Sequence, residues 1–217
     1  ISHPHVVSLL ASQTNESPYF VVAPFLPGAS LRCALDAGLR MPPRHALWVV
    51  RQAAEGLAAL HAAGWLHGDA KPDNIHVGLD GHVTLLDLGL ARPLGRPGSV
   101  VERPLAGTLT YLAPEWFIAT GKADARSEVY SLGVVLFELL AGRPPFVEQS
   151  APRMIEAHLQ TPPPKLESLW PGAPASLSAL LSRALAKQPL RRFASAGELA
   201  EALCALEIGM LDFDEAA

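Results

Sequence analysis

The sequence predicts an α+β fold in which a short β-rich start precedes a mainly helical body. Three features of the chain support this prediction. Two short runs rich in apolar and β-branched residues, "HVVSLL" and "PYFVVAPFLPG", open the sequence. Apolar residues then recur with helical spacing between residues 43 and 63. The segment 127–141 is apolar on nearly every side, as expected of a helix buried at the centre of a domain.

Composition narrows the class of protein. With 217 residues and 49% hydrophobic content, the chain can bury one sizeable core and support a second small lobe. The net charge of −4 and the scattered basic residues argue against a nucleic-acid partner. Cys33 and Cys204 lie far apart in apolar helical patterns, so we expect small core residues of a reducing compartment and no disulfide.

No membrane segment is predicted in this chain. The most apolar run, "SLGVVLFELLAG", is interrupted by Glu138 and is too short to cross a bilayer. We therefore expect a cytoplasmic location for this segment. Because the sequence begins with Ile1, we expect a piece of a longer protein, which could carry a membrane anchor elsewhere.

The first half of the chain contains two predicted hairpins and one long helix. The two opening runs predict a hairpin connected by the polar "ASQTNES". The stripe at 43–63 predicts a helix, with Pro43 in its first turn and Gly64 just after its end. "NIHV" and "VTLL", joined through Asp80-Gly81, predict the second hairpin.

The second half is predicted to be helical after a long loop. Residues 91–110 are rich in Gly, Pro and Arg and show no periodicity, so we expect a surface loop. Beyond the buried segment 127–141, amphipathic helices are predicted near 151–160, 176–187 and 195–207. Proline-containing connectors separate them.

The octet "HGDAKPDN" at 67–74 concentrates ionisable and amide side chains between the long helix and the second hairpin, and is therefore a loop. Asp69 could orient a hydroxyl group, and Lys71 could place a cation beside a transferring phosphoryl group. Asn74, together with Asp87 after the second hairpin, offers the oxygen ligands that Mg²⁺ prefers. Because phosphoryl transfer depends mainly on positioning and charge neutralisation, these residues indicate that reaction.

Three motifs occur in an order that resembles the eukaryotic-like, or Hanks-type, bacterial Ser/Thr protein kinases. They are "HGDAKPDN", "DLG" at 87–89 and "APE" at 113–115. The resemblance extends over nearly the whole chain through "HPHVVSLL", "YFVVAPFLPGASL", "GTLTYLAPE", "SEVYSLGVVLFELLAGRPPF" and "QPLRRF". It implies a protein-kinase-like fold, a Ser/Thr protein kinase activity, ATP and Mg²⁺ as cofactors, and Ser- or Thr-containing proteins as substrates.

The resemblance also implies a role for each matching residue of the catalytic set. Asp69 would be the base that orients the substrate hydroxyl, and Lys71 would contact the γ-phosphate. Asn74 and Asp87 would bind magnesium. Thr108 would hydrogen-bond toward Asp69 and Lys71 and shape the site for Ser or Thr.

A nucleotide site and an activation segment follow from the same resemblance. The Pro24 carbonyl and the Leu26 N–H would meet the adenine edge, with Ala23 as gatekeeper and His76 beneath the base. Residues 87–115 would form the activation segment.

The resemblance implies one ion pair, and the sequence departs from the family pattern at two positions near the catalytic loop. Glu115 would form a buried ion pair with Arg192. Gly68 replaces the arginine that normally receives an activation-loop phosphate, and Glu128 replaces the aspartate that braces the catalytic loop.

The implied organisation is a kinase domain truncated at its N-terminus. Residues 1–26 would be the last two strands and hinge of the N-lobe, and residues 27–217 the C-lobe. Since the Gly-rich loop and the ATP-gripping lysine are not in this chain, we expect the isolated fragment to be inactive.

Two other functions stay open. One is a pseudokinase that binds ATP as an interaction module. The other is a small-molecule kinase of the aminoglycoside or choline type, which Lys71 and "GTLTYLAPE" disfavour.

Overall fold

The computed structural model describes residues 1–38, 41–95, 109–118 and 122–214, with side chains described up to residue 210. The strands in these ranges are β1 (Ala11–Gln13), β2 (Phe20–Val22), β3 (Gly28–Ser30), β4 (Trp65–Leu66), β5 (Ile75–Gly78), β6 (Val83–Leu85) and β7 (Arg92–Pro93). The helices are α1 (Leu31–Asp36), α2 (Pro43–Ala62), α3 (Ala125–Ala141), α4 (Ala151–Gln160), α5 (Ala175–Ala184) and α6 (Ala196–Asp214). This is the α+β arrangement that the sequence predicts.

The first hairpin forms, but its first strand lies later than predicted. Strand β1 takes the beginning of the polar stretch, and Ala11 pairs with Val22 of β2 in antiparallel register. The run "HVVSLL" instead docks onto the second hairpin. Val6 is buried and bridges to Leu85, whose backbone N–H donates to the His5 carbonyl at 2.9 Å. The β propensity of this run is therefore used in a long-range contact that local patterning does not reveal.

The second hairpin is confirmed. Strands β5 and β6 pair antiparallel, and β3 adds to the free edge of β5, giving the sheet order β3-β5-β6. At the turn, Gly81 has a positive φ of 81°, which glycine adopts without steric cost, and Asp80 Oδ1 accepts a hydrogen bond from the His82 N–H at 3.0 Å. This sheet holds the catalytic loop at one end.

The helical body packs around α3. Residues 127–139 of this helix are all buried, which confirms the central helix predicted from its composition. Asp124 and Ser127 form a capping box at its start, and Gly142 ends it with a φ of 74°. The long helix α2 packs against α3 and α6, so that three helices enclose the core.

The other helix predictions are confirmed with shifted ends, since α5 stops at Ala184 and α6 continues to Asp214. The cysteine prediction is wrong in one respect. Cys33 is exposed and Cys204 is half-buried, and both are free thiols. Cys33 lies on α1, a short unpredicted surface helix whose buried residue is Leu31. None of the helices within the described ranges is both long enough and apolar enough to cross a membrane.

Candidate active site

The catalytic loop lies between β4 and β5 and is anchored by His67. This side chain is fully buried. Its Nε2 donates to the Leu86 carbonyl at 2.9 Å, while its Nδ1 accepts a hydrogen bond from the Asp69 N–H at 3.2 Å. His67 therefore fixes the backbone of the catalytic loop.

Asp69, Lys71 and Asn74 come together on this loop. The Asp69 carboxylate is 6% exposed, and its Oδ2 lies 2.7 Å from Lys71 Nζ. Asn74 Nδ2 donates to the same Oδ2 at 3.0 Å and to the Asp69 carbonyl at 2.9 Å. Within the described ranges, no group donates a hydrogen bond to Oδ1. One carboxylate oxygen is thus held by the loop and the other can accept from a further hydroxyl group.

Asn74 and Asp87 lie at the same end of the second hairpin. The Leu86 N–H donates to the Asn74 carbonyl at 2.8 Å, which sets Asp87 directly beyond this pairing. The Asn74 amide nitrogen faces Asp69, so its amide oxygen is the atom that could ligate a cation. Asp87 is exposed and has φ 56°, a left-handed conformation that is uncommon for residues other than glycine. An amide oxygen and an exposed carboxylate fit Mg²⁺, which takes few protein ligands and completes its shell with phosphate and water oxygens.

Glu128 braces the loop from α3. Its Oε1 accepts the Gly68 N–H at 2.5 Å, and its Oε2 accepts from His61 Nε2 at 2.6 Å. Burial alone would raise the pKa of Glu128, but the hydrogen bond and charge of His61, the charge of His67 and the Gly68 N–H lower it. The brace therefore persists despite the longer side chain. Gly68 itself has φ 87°, which favours glycine at this position.

His61 is part of the site but is not among the residues that the sequence predicts for it. It lies in the last turn of α2, 67 positions from its partner Glu128. The available signal was its place at the end of a buried helix, six residues before the loop.

The segment between β2 and β3 holds the residues predicted to meet adenine. Ala23 and Pro24 are exposed and Leu26 is half-exposed. His76 on β5 pairs with Ser30 of β3, and its Nε2 lies 3.3 Å from the Pro27 carbonyl. The structure brings these four residues to one region, and their assigned roles stay predictions.

The predicted pair of Glu115 and Arg192 is confirmed. Both side chains are buried and form two bonds of 2.7 and 2.8 Å. Ser127 Oγ also donates to Glu115 Oε1 at 2.6 Å. Thr108, most of the predicted loop at 91–110 and much of the predicted activation segment lie outside the described residues.

Comparison with known proteins agrees with this geometry. A family model described as protein kinase domain matches residues 1–204. The chain is 37% identical over 201 residues to the serine/threonine-protein kinase PknD of Mycobacterium tuberculosis, which covers 92% of this chain and 30% of that protein. It is 36% identical over 215 residues to PknJ of Mycobacterium bovis, covering 96% of this chain and 36% of PknJ. With PknB of Mycobacterium leprae the identity is 35% over 205 residues, or 92% and 33% of the two chains. The chain thus spans about a third of the length of these relatives.

Proposed function

This chain belongs to the protein kinase domain family, in its bacterial Hanks-type branch, and from this premise we propose that the protein containing it phosphorylates Ser and Thr hydroxyls of protein substrates with ATP. The observation that carries the proposal is the arrangement around Asp69. One of its oxygens is held by Lys71 and Asn74, and the other is buried and accepts no hydrogen bond from the residues that the structure describes. A substrate hydroxyl is a donor of the required kind.

Each catalytic residue then has a distinct task. Asp69 accepts the hydrogen bond of the substrate hydroxyl and orients its oxygen toward the phosphoryl group. Lys71, 2.7 Å from Asp69, supplies positive charge for the γ-phosphate. Thr108 is proposed to bond toward Asp69 and Lys71, as the family resemblance implies. Asn74 Oδ1 and Asp87 would hold Mg²⁺, which neutralises phosphate charge when bound.

The nucleotide is proposed to lie beside the segment between β2 and β3. The Pro24 carbonyl and the Leu26 N–H would bond the adenine edge, Ala23 would line the back of the site, and the His76 ring would lie beneath the base. This assignment is supported by the exposure of Ala23 and Pro24 and by the His76 contact with Pro27. We likewise propose the division into an N-lobe part at 1–26 and a C-lobe at 27–217.

The proposal is tested by Asp69→Asn in the full-length protein. Asparagine fills the same volume but is a poor acceptor for a proton or an oriented hydroxyl, so turnover should fall by about 10²–10⁴-fold. Phosphate transfer from radiolabelled Mg-ATP to a Ser/Thr peptide measures this loss, and the melting temperature checks the fold. The matched control is Asp80→Asn, which alters an exposed carboxylate on the β5–β6 turn and should leave turnover unchanged.

Two results would contradict the proposal. If Asp69→Asn turned over like the wild type, Asp69 would not be the catalytic carboxylate. If the wild-type protein bound ATP but transferred no phosphate to any peptide, the pseudokinase alternative would replace the proposed function.

A further inference from the structure

A second polar network lies next to the catalytic loop and takes no part in the roles assigned above. Its centre is Glu138, a carboxylate on helix α3 that is 5% exposed. Tyr111 Oη donates to Glu138 Oε2 at 2.7 Å, and Arg32 Nη2 donates to Glu138 Oε1 at 3.3 Å. Arg32 Nη2 also donates to Tyr111 Oη. The three side chains therefore form a closed triangle of hydrogen bonds.

The network joins three elements that share no backbone ladder. Arg32 lies on α1, which follows the proposed adenine segment through β3. Tyr111 lies in the short 3₁₀ turn Leu109–Tyr111, just before the "APE" motif. Glu138 lies on α3, which also carries the brace of the catalytic loop. The contact thus ties the end of the activation segment to the two elements on either side of the active site.

Arg32 also faces the catalytic loop itself. Its Nε lies 3.9 Å from Asp73 Oδ2, and its Nη1 lies 3.3 Å from Asp36 Oδ1 at the end of α1. Its side chain is 28% exposed, whereas Glu138 beneath it is almost completely buried. The guanidinium is therefore partly exposed and lies between Asp73 of the catalytic loop and a buried anion.

The charge states of the network are fixed around neutral pH. Burial raises the pKa of the Tyr111 hydroxyl, and the hydrogen bond and charge of Glu138 raise it further, so that the phenol remains a neutral donor. Burial alone would lower the pKa of Arg32, but Tyr111, Glu138 and Asp36 raise it. A cation and a phenol thus share one carboxylate in a poorly hydrated site, where losing a partner is costly.

We infer that Arg32 is a positioning residue for the protein substrate, acting through Glu138 and Tyr111 on the segment Leu109–Glu115. The inference rests on the proposed function, because "GTLTYLAPE", which contains this segment, resembles the substrate-binding end of the kinase activation segment. Arg32 holds the segment at a fixed distance from the loop that carries Asp69. It does not bond the proposed nucleotide-binding residues, so its effect falls on the protein substrate and not on ATP.

The first test is steady-state kinetics of the full-length protein with Mg-ATP and a peptide selected from a degenerate Ser/Thr library. Arg32→Met removes the cation but keeps an unbranched side chain of similar reach. We expect the KM for the peptide to rise about tenfold or more, the size of effect that follows loss of a hydrogen bond to a charged group, while the KM for ATP stays within about twofold. Arg32→Lys restores the charge without the fork of donors and should recover part of the loss.

Matched variants separate positioning from general stability. Tyr111→Phe should raise the peptide KM in the same direction, and the double variant with Arg32→Met should be less than additive because the two residues share Glu138. Arg183→Met removes another arginine paired with a carboxylate, Glu198 at 2.6 Å on the surface, and should change neither KM. Equal rises in both KM values, or full additivity of the double variant, would overturn the inference.

Amide hydrogen exchange decides the matter without reference to turnover. In Arg32→Met the amides of Leu109–Phe117 should exchange faster, while those of the buried helix α2 should keep their protection. Unchanged exchange in Leu109–Phe117 would overturn the inference even if kinetics altered. A wild-type protein that transfers no phosphate would overturn the proposed function, and faster exchange in this segment would still support the positioning role.

Discussion

Every N–H group of the Arg192 guanidinium has an acceptor. Nε donates to the Ala186 carbonyl at 2.7 Å, and Nη1 donates to Glu115 Oε1 and the Arg126 carbonyl at 2.7 and 3.0 Å. Nη2 donates to Glu115 Oε2 and the Lys187 carbonyl at 2.8 and 3.0 Å. A buried cation is tolerated when its donors are satisfied in this way. Arg192 therefore fixes three segments of chain around one carboxylate.

Removing this side chain should destabilise the fold strongly. Arg192→Ala removes the cation paired with the buried Glu115 carboxylate, which keeps the Ser127 hydroxyl as a donor, and breaking a buried pair from one side costs about 3–5 kcal/mol. The free energy of unfolding from urea denaturation measures this loss. Arg191→Ala, one position earlier and exposed, should change it by less than about 0.5 kcal/mol. Similar losses from the two variants would show that the pair contributes little.

At the residue scale, sequence reasoning succeeded where the chemistry is local. Asp69, Lys71 and Asn74 lie within six positions of each other, so their meeting follows from the loop alone. Arg32 and Glu138 are 106 positions apart, and the sequence marks neither as a partner of the other. Glu138 was visible only as an interruption of an apolar run. A buried carboxylate requires partners, but only the packing of α1 against α3 shows which residues supply them.

Helix α4 docks onto the body through His158, which is fully buried. Its Nδ1 lies 3.0 Å from Tyr130 Oη, and its ring packs against Phe117 and Phe146. Burial lowers the pKa of His158 to about 3, and the charge of Lys187 adds to the shift. The ring is therefore neutral in the folded protein throughout the physiological range.

This docking should make stability fall in mildly acidic solution. The unfolded chain binds a proton at the ordinary pKa of 6.5, whereas the folded chain does not until about pH 3. The stabilising contribution is thus complete above pH 6.5 and decreases as the pH falls below it. Between pH 7 and pH 5, His158 should account for a loss of about 2 kcal/mol in the free energy of unfolding.

The comparison variant is His158→Asn, which keeps an acceptor for Tyr130 but does not titrate. Between pH 7 and pH 5, its free energy of unfolding should decrease by about 2 kcal/mol less than that of the wild type. His45→Asn changes an exposed histidine at the start of α2 and should leave the pH dependence unaltered. An identical slope for wild type and His158→Asn would rule out this explanation.

At the element scale, long helices were predicted correctly, and the strands that were missed are short. Helices α2 and α3 were found because their apolar pattern extends over several turns. Strands β3, β4 and β7 have two or three residues each and were not predicted. Such short strands exist because partners lie beside them, as β7 does beside β4. Local propensity carries too little free energy to determine them.

The hairpin near the start of the chain is packed less extensively than the helical body. Strands β1 and β2 form a two-stranded sheet of their own, separate from the sheet β3-β5-β6. The side chains of Phe20, Val21 and Val22 are exposed, and a two-stranded hairpin is only marginally stable alone. The C-terminal helices, by contrast, share one apolar core. This difference supports the proposed division near residue 26.

Gly68 bears on how the whole protein is switched. In the kinases that the loop resembles, an arginine at this position leaves a positive charge that an activation-loop phosphate neutralises. Gly68 brings no charge, and its N–H is already bonded to Glu128 at 2.5 Å. A loop without phosphate therefore faces no unpaired cation here. We expect that activity does not depend on phosphorylation of the loop.

The test compares full-length protein before and after phosphatase treatment, together with Ser99→Ala. Ser99 is the only Ser, Thr or Tyr between residues 91 and 107 of the sequence, and it lies outside the residues that the structure describes. Turnover of the three samples with Mg-ATP and a Ser/Thr peptide should agree within about threefold, a free-energy difference under roughly 0.7 kcal/mol. Gly68 cannot form an ion pair with a phosphate, so removing the phosphate should leave the geometry around Asp69 unchanged. A loss of a hundredfold or more after phosphatase treatment would contradict this expectation.

Such a loss would make Arg92 the candidate phosphate-binding residue. Its guanidinium lies 3.8 Å from the centre of the Trp116 ring, close to the "APE" motif. Arg92→Met should then abolish the difference between treated and untreated protein.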